Sequence, residues 1–135
     1  MTILFLLAIV AIGPSAPDPT LTPGVLARDA DGRLLTKAVI CTTAWGRDRR
    51  HVDDAMRQKV ARRYGVPWAK HRLYEFDHLI PRELGGADDV GNLWPQILDP
   101  DARIKDREEN RLHRAVCAGT IDLTTAQQQM RTWGR

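Results

Sequence analysis

The stretch Glu75-Phe-Asp-His-Leu-Ile-Pro-Arg-Glu-Leu-Gly-Gly-Ala-Asp-Asp-Val-Gly-Asn-Leu-Trp-Pro95 sets a carboxylate beside an imidazole, Asp77-His78, and returns across a glycine turn to an amide, Asn92. Its pattern predicts two short strands. Leu73 to Asp77 alternates apolar and polar residues, and Pro81 keeps that strand from running on. Gly85-Gly86 permits a positive φ, Asp88-Asp89 with Gly91 makes a second turn, and Asn92 to Trp94 comes back as the partner strand. The chemistry follows from the residue types. An aspartate can ligate a divalent cation, a histidine can take a proton from water, and an asparagine can fix the loop that aims the histidine.

Outward from this hairpin, Asp101 to about Ala118 reads as a helix that starts after Pro100 and stops at Gly119. At about 100° per residue, Asp101 shares a face with Ile104, Lys105, Glu108, Leu112 and Ala115, the face expected to pack on the hairpin. A last helix is expected from Thr124, with Gln127 closing a capping box and Ala126, Met130 and Trp133 as its buried stripe. On the N-terminal side, Asp53 suits an N-cap, Met56, Val60 and Tyr64 recur every fourth residue, and Gly65 supplies the stop. Ala38 to Thr42 reads as a short buried strand. These elements predict an α+β fold: a hairpin plus helix with flanking helices and a short N-terminal strand, in one domain over residues 38–135 behind a turn-rich segment, 17–37.

Residues 1–16 are expected to stand apart as a signal peptide. Ile3 to Ile12 is an apolar run too short to span a bilayer, and a proline-rich break follows it. The mature chain is therefore expected to be secreted or held at the cell envelope, without a membrane span and as a monomer. The two cysteines, Cys41 and Cys117, belong to no CxxC pair, so a four-cysteine zinc site is excluded. In an exported chain a bridge between them is expected; two buried free thiols are the alternative.

The formal net charge is only +3, but Arg47 to Arg72 holds nine basic residues against three acidic ones. Such a block can track a phosphate backbone, although most charge runs are solvated helix faces. Beside a phosphodiesterase-like centre it points to nucleic acid. His51, His71 and His113 fall outside any constellation and receive no catalytic role. Trp68 and Trp94 are expected in the core, and Glu83 as a structural partner of the turn.

The ordered set Asp77 to Pro81, Leu84 to Gly86, Asn92 to Pro95, Lys105-Asp106 and Gln127 to Trp133 resembles the HNH endonucleases of the ββα-metal (His-Me finger) superfamily, and most of all their small exported bacterial members. The resemblance covers roughly Val39 to Trp133. It implies a ββα-metal core in which His78 is the general base, Asn92 holds its loop and Asp77 ligates one divalent ion, Mg²⁺ or alternatively Mn²⁺. The second protein ligand in that family lies about nine residues past the middle asparagine, which here is Asp101, where the family usually has His or Asn. Helix geometry favours Asp101 over Asn110 and His113, with Glu108 or Glu109 as substitutes. Arg82 and Lys105 are near enough in sequence to contact substrate phosphate. The implied activity is metal-dependent, sequence-tolerant cleavage of nucleic acid, DNA rather than RNA. The alternative is an HNH-fold module that binds nucleic acid without turnover.

Overall fold

The computed structural model describes residues 14, 16–98 and 101–135, with the side chain of Asp101 left outside that description. The expected leader and its cleavage region thus lie almost wholly outside the described residues. The fold is α+β. A two-stranded antiparallel sheet pairs β1, Tyr74–His78, with β2, Leu93–Ile97, in a register that sets Asp77 opposite Trp94 and His78 opposite Leu93. Among the described residues four α-helices surround it: α1 Lys37–Thr42, α2 Asp54–Arg63, α3 Asp101–Ala118 and α4 Leu123–Arg131. A 3-10 helix, Trp68–Leu73, leads into β1, and a single 3-10 turn, Arg82–Leu84, follows it.

Two clusters of apolar side chains hold the hairpin from both sides. Val60, Ala61 and Val66 of the α2 region pack with Phe76 and Leu93 of the hairpin. Ile80 and Leu84 of the intervening loop pack with Leu112 and Val116 of α3 and Ala126 and Met130 of α4. The α2 boundaries match the sequence reading: the Asp53 side chain accepts from the Met56 amide at 2.8 Å, and Gly65 takes a φ of +66° after the last turn.

Three expectations are corrected. Ala38 to Thr42 is not a strand but most of α1, capped at Thr36, with Ile40 its buried residue. An apolar run this short carries no period that separates strand from helix, and the cap decides. The last helix is capped two residues earlier than expected: Asp122, not Thr124, accepts from the Thr125 amide at 2.8 Å, and Gln127 is buried, donating to the Leu84 carbonyl at 2.9 Å. The inward face of α3 is Ala102, Lys105, Leu112 and Val116, whereas Ile104 is 46% exposed and Glu108 pairs with Arg111 at the surface. Leu112 and Val116 hold that face, as their spacing of four predicts, and Ala102 rather than Ile104 completes it.

The disulfide is formed. Cys41 on α1 joins Cys117 at the end of α3, closing a sequence separation of 76 residues. By the chain-entropy relation a loop of this length contributes on the order of 4 kcal/mol. The turn-rich N-terminal segment is laced onto the hairpin loop: the Gly24 amide donates to Gly91 O at 3.0 Å, and buried Thr22 donates to Leu93 O at 2.9 Å. No helix among the described residues is long and apolar enough to cross a membrane.

Candidate active site

Chain reversal between the strands depends on one amide. Asn92 is wholly buried; its Oδ1 accepts from the Ile80 amide at 3.0 Å, while Nδ2 donates to Ile80 O at 2.9 Å and Ala87 O at 3.1 Å. It buckles the loop from inside, directly after His78, and satisfies backbone groups that have no strand partner. The loop closes tightly over this buckle. A Cβ at Gly86 would stand 1.7 Å from Ile80 O, so only glycine fits there.

His78 ends β1, 5% exposed, with its Nε2 at 2.8 Å from Asp88 Oδ1. Burial holds the imidazole below its ordinary value of 6.5, against the opposing pull of Asp88. Burial alone would raise the Asp88 carboxyl, but the His51 amide at 2.6 Å, His78 and Arg82 outweigh it and hold the group below the usual carboxylate range. An ionised Asp88 beside a neutral imidazole fixes the tautomer: Nε2–H donates to Asp88, which leaves Nδ1 as the basic nitrogen. The sequence reading took Asp88 only for a turn residue. The one signal that could have singled it out is its position ten residues after His78, across a loop that must fold back.

Asp77 faces a different neighbourhood. Lys105, 1% exposed, donates to the His78 carbonyl at 2.6 Å, contacts Glu109, and lies 2.7 Å from Asp77 Oδ2. The Asp77 contact is an ion pair outside hydrogen-bond alignment, so this buried oxygen lacks an aligned donor. Lys105 was expected at substrate phosphate. The structure instead places its ammonium inside the protein, bracing the end of β1, because a buried carboxylate pair requires a compensating cation.

A cavity of about 260 Å³ opens over these residues, walled by Glu75, Asp77, His78, Arg82, Asp106 and Glu109 among others. Arg50 stands at its edge, donating to Phe76 O at 2.8 Å. Arg82 lines it too, tied to Asp48 and the Arg49 carbonyl and lying over the Trp45 ring. The carboxyls crowd one another. Burial and then repulsion from Asp77 raise both Glu75 and Asp106, and burial pushes Glu109 up to about 8 even beside Lys105.

The cavity wall is rich in carboxylates, the donor type a hard cation takes, but Asp77 Oδ2 already has the Lys105 ammonium beside it. Among the described residues no three His, Cys, Asp or Glu side chains stand at metal-ligating separation. The side chain of Asp101, the expected second ligand, is outside the described residues; on α3, Asp106 and Glu109 reach the cavity, whereas Glu108 and Asn110 do not. His113 sits apart beside the disulfide, 3.6 Å from Cys117 Sγ.

No family model, curated protein or solved structure matches the chain. The functional reading therefore rests on the residues themselves.

Proposed function

We propose that the chain hydrolyses phosphodiester bonds of nucleic acid as an HNH-type endonuclease, with His78 as general base. The observation that carries this reading is the juxtaposition of Asp77 with a tautomer-fixed His78 at the end of one strand, under a loop buckled by Asn92. Burial keeps the His78 imidazole neutral, so Nδ1 is available to accept a proton from an attacking water. Asp88 holds the ring and stabilises the imidazolium as the proton arrives. Arg82 and Arg50, at the cavity, supply positive charge where a phosphate would seat.

Asp77, with Asp106, Glu109 or Asp101 from α3, would hold one divalent ion, Mg²⁺ or Mn²⁺. Bound there, such an ion supplies charge neutralisation to the phosphate and its leaving oxygen. Lys105 then acts by holding the Asp77 carboxyl in place. The disulfide fits export into an oxidising compartment, where a nuclease meets free nucleic acid.

One observation favours the second reading, a module that binds nucleic acid without turnover: the Asp77 carboxylate is already neutralised by Lys105. Nicking of supercoiled plasmid with Mg²⁺, Mn²⁺ or EDTA, comparing the native chain with His78→Ala, separates the two. Metal-dependent nicking that disappears in His78→Ala is the expected result. Nicking that survives the substitution removes His78 as the base, and no nicking under any metal favours the binding module.

A further inference from the structure

A second cavity, of about 640 Å³, adjoins the first and shares Arg50 and Glu75 with it. Its other walls include Arg57, Arg72, His71 and Tyr74, from α2, the 3-10 helix and the start of β1. We infer that this groove binds an unpaired stretch of nucleic-acid strand flanking the scissile phosphate, its arginines on the backbone and its ring faces against a base. That the bound strand is also a substrate rests on the hydrolysis proposed above; the binding does not.

Three observations point this way. The first is charge. Three guanidinium groups line the groove against one carboxylate, Glu75, and among the described residues Arg72 has no ion-pair or hydrogen-bond partner. Arg57 is engaged only with exposed Asp54 at 3.1 Å and the Val52 carbonyl at 3.4 Å, and Arg50 only with Phe76 O. Positive groups left this open are suited to phosphate.

The second is the ring platform. His71 stacks on Trp68 with centroids 4.2 Å apart and planes 12° apart, and its Nδ1–H donates to Trp68 O at 2.6 Å, so the imidazole in the wall is held in a fixed position. Leu98, also in the wall, is 46% exposed, an apolar surface of no use to phosphate but suited to the face of a base. In a duplex those faces are occupied by neighbouring bases. Only an unpaired strand offers them.

The third is continuity. Tyr74 in the groove and His78 at the catalytic cavity are the two ends of β1, about 13 Å apart along the strand. Arg50 stands between the cavities, so one backbone can run through both.

The test uses the full chain carrying His78→Ala, which stops turnover, and fluorescence anisotropy with a short labelled single strand and its duplex across a salt series. The single strand is expected to bind more tightly than the duplex. Arg72→Ala should weaken single-strand binding about tenfold and flatten the salt dependence, and Leu98→Asn should weaken it without changing the salt slope. In the chain with His78 intact, Arg72→Ala should leave hydrolysis of bis(p-nitrophenyl) phosphate unchanged, since that substrate is too small to need the groove. Single-strand affinity indifferent to both substitutions overturns the inference, as does tighter binding of the duplex. Failure of the native chain to hydrolyse the small diester, with the binding results as expected, overturns the hydrolysis alone and leaves the groove standing.

Discussion

His78 Nε2 lies 2.8 Å from Asp88 Oδ1, and the same carboxylate accepts the His51 amide through its other oxygen at 2.6 Å. A group placed this way decides which ring nitrogen is basic without touching the substrate. Asp88→Ala is expected to lower the nicking rate by roughly 10- to 100-fold, the usual effect of losing a residue that orients a functional side chain. Asp88→Asn keeps an acceptor but removes the charge that raises the His78 pKa, so it should recover part of the rate and move the acid limb of the pH profile to lower pH. A rate and limb unchanged in Asp88→Ala would remove Asp88 from the mechanism.

The pH profile of the native chain follows from the same burial. His78 is held below 6.5 in the folded chain, so nicking should be flat through neutrality and fall only at a pH beneath that value, as the base protonates. Stability follows with the same sign. A folded-state pKa depressed below the unfolded one contributes fully above 6.5 and is lost as the pH falls from there through the folded value. Thermal melts between neutral and mildly acid pH should show the loss, and His78→Gln should reduce it. An acid limb above 6.5 would contradict the burial argument.

The hairpin, α2 and the extent of α3 were legible in the sequence because each is punctuated: Pro81, Gly85, the Asp53 cap and Gly119 mark ends that local chemistry dictates. What was not legible depends on which neighbour a side chain meets. Gln127 satisfies a capping pattern but is drawn to the Leu84 carbonyl, because that buried acceptor has a larger claim than an exposed helix end. Lys105 carries the residue type of a phosphate contact; only the fold shows that Asp77 and Glu109 surround it. Asp88 has the composition of a turn, and its bond to His78 exists only once Asn92 folds the loop back.

The disulfide ties the shortest helix to the longest. Reduction, or Cys41→Ala with Cys117→Ala, is expected to lower unfolding free energy by about 2 to 4 kcal/mol, mostly through a less constrained unfolded chain. His78, Asp88 and Asn92 are held by bonds within the hairpin and its loop rather than by α1, so nicking at low temperature should persist. Denaturant melts with and without reductant, each followed by a nicking assay, check both halves. Activity lost before any unfolding is seen would place the bridge nearer to the catalytic geometry than its position implies.

Lys105 offers the sharpest separation of bracing from chemistry. Its ammonium is the cation that Asp77 and Glu109 share, so Lys105→Met leaves two buried carboxyls without a partner and should cost about 3 to 5 kcal/mol. Adding Glu109→Leu removes one of those carboxyls and should return part of the lost stability, because only Asp77 then remains without its cation. The coupling is measurable as a double-mutant cycle in urea. Activity should not return in parallel: Asp77 would still lack the contact that holds it in place, and Glu109 is a candidate oxygen donor for the ion. Stability and nicking recovering together would mean that Lys105 acts only as packing, and additive losses in the cycle would mean that the two residues do not share the charge.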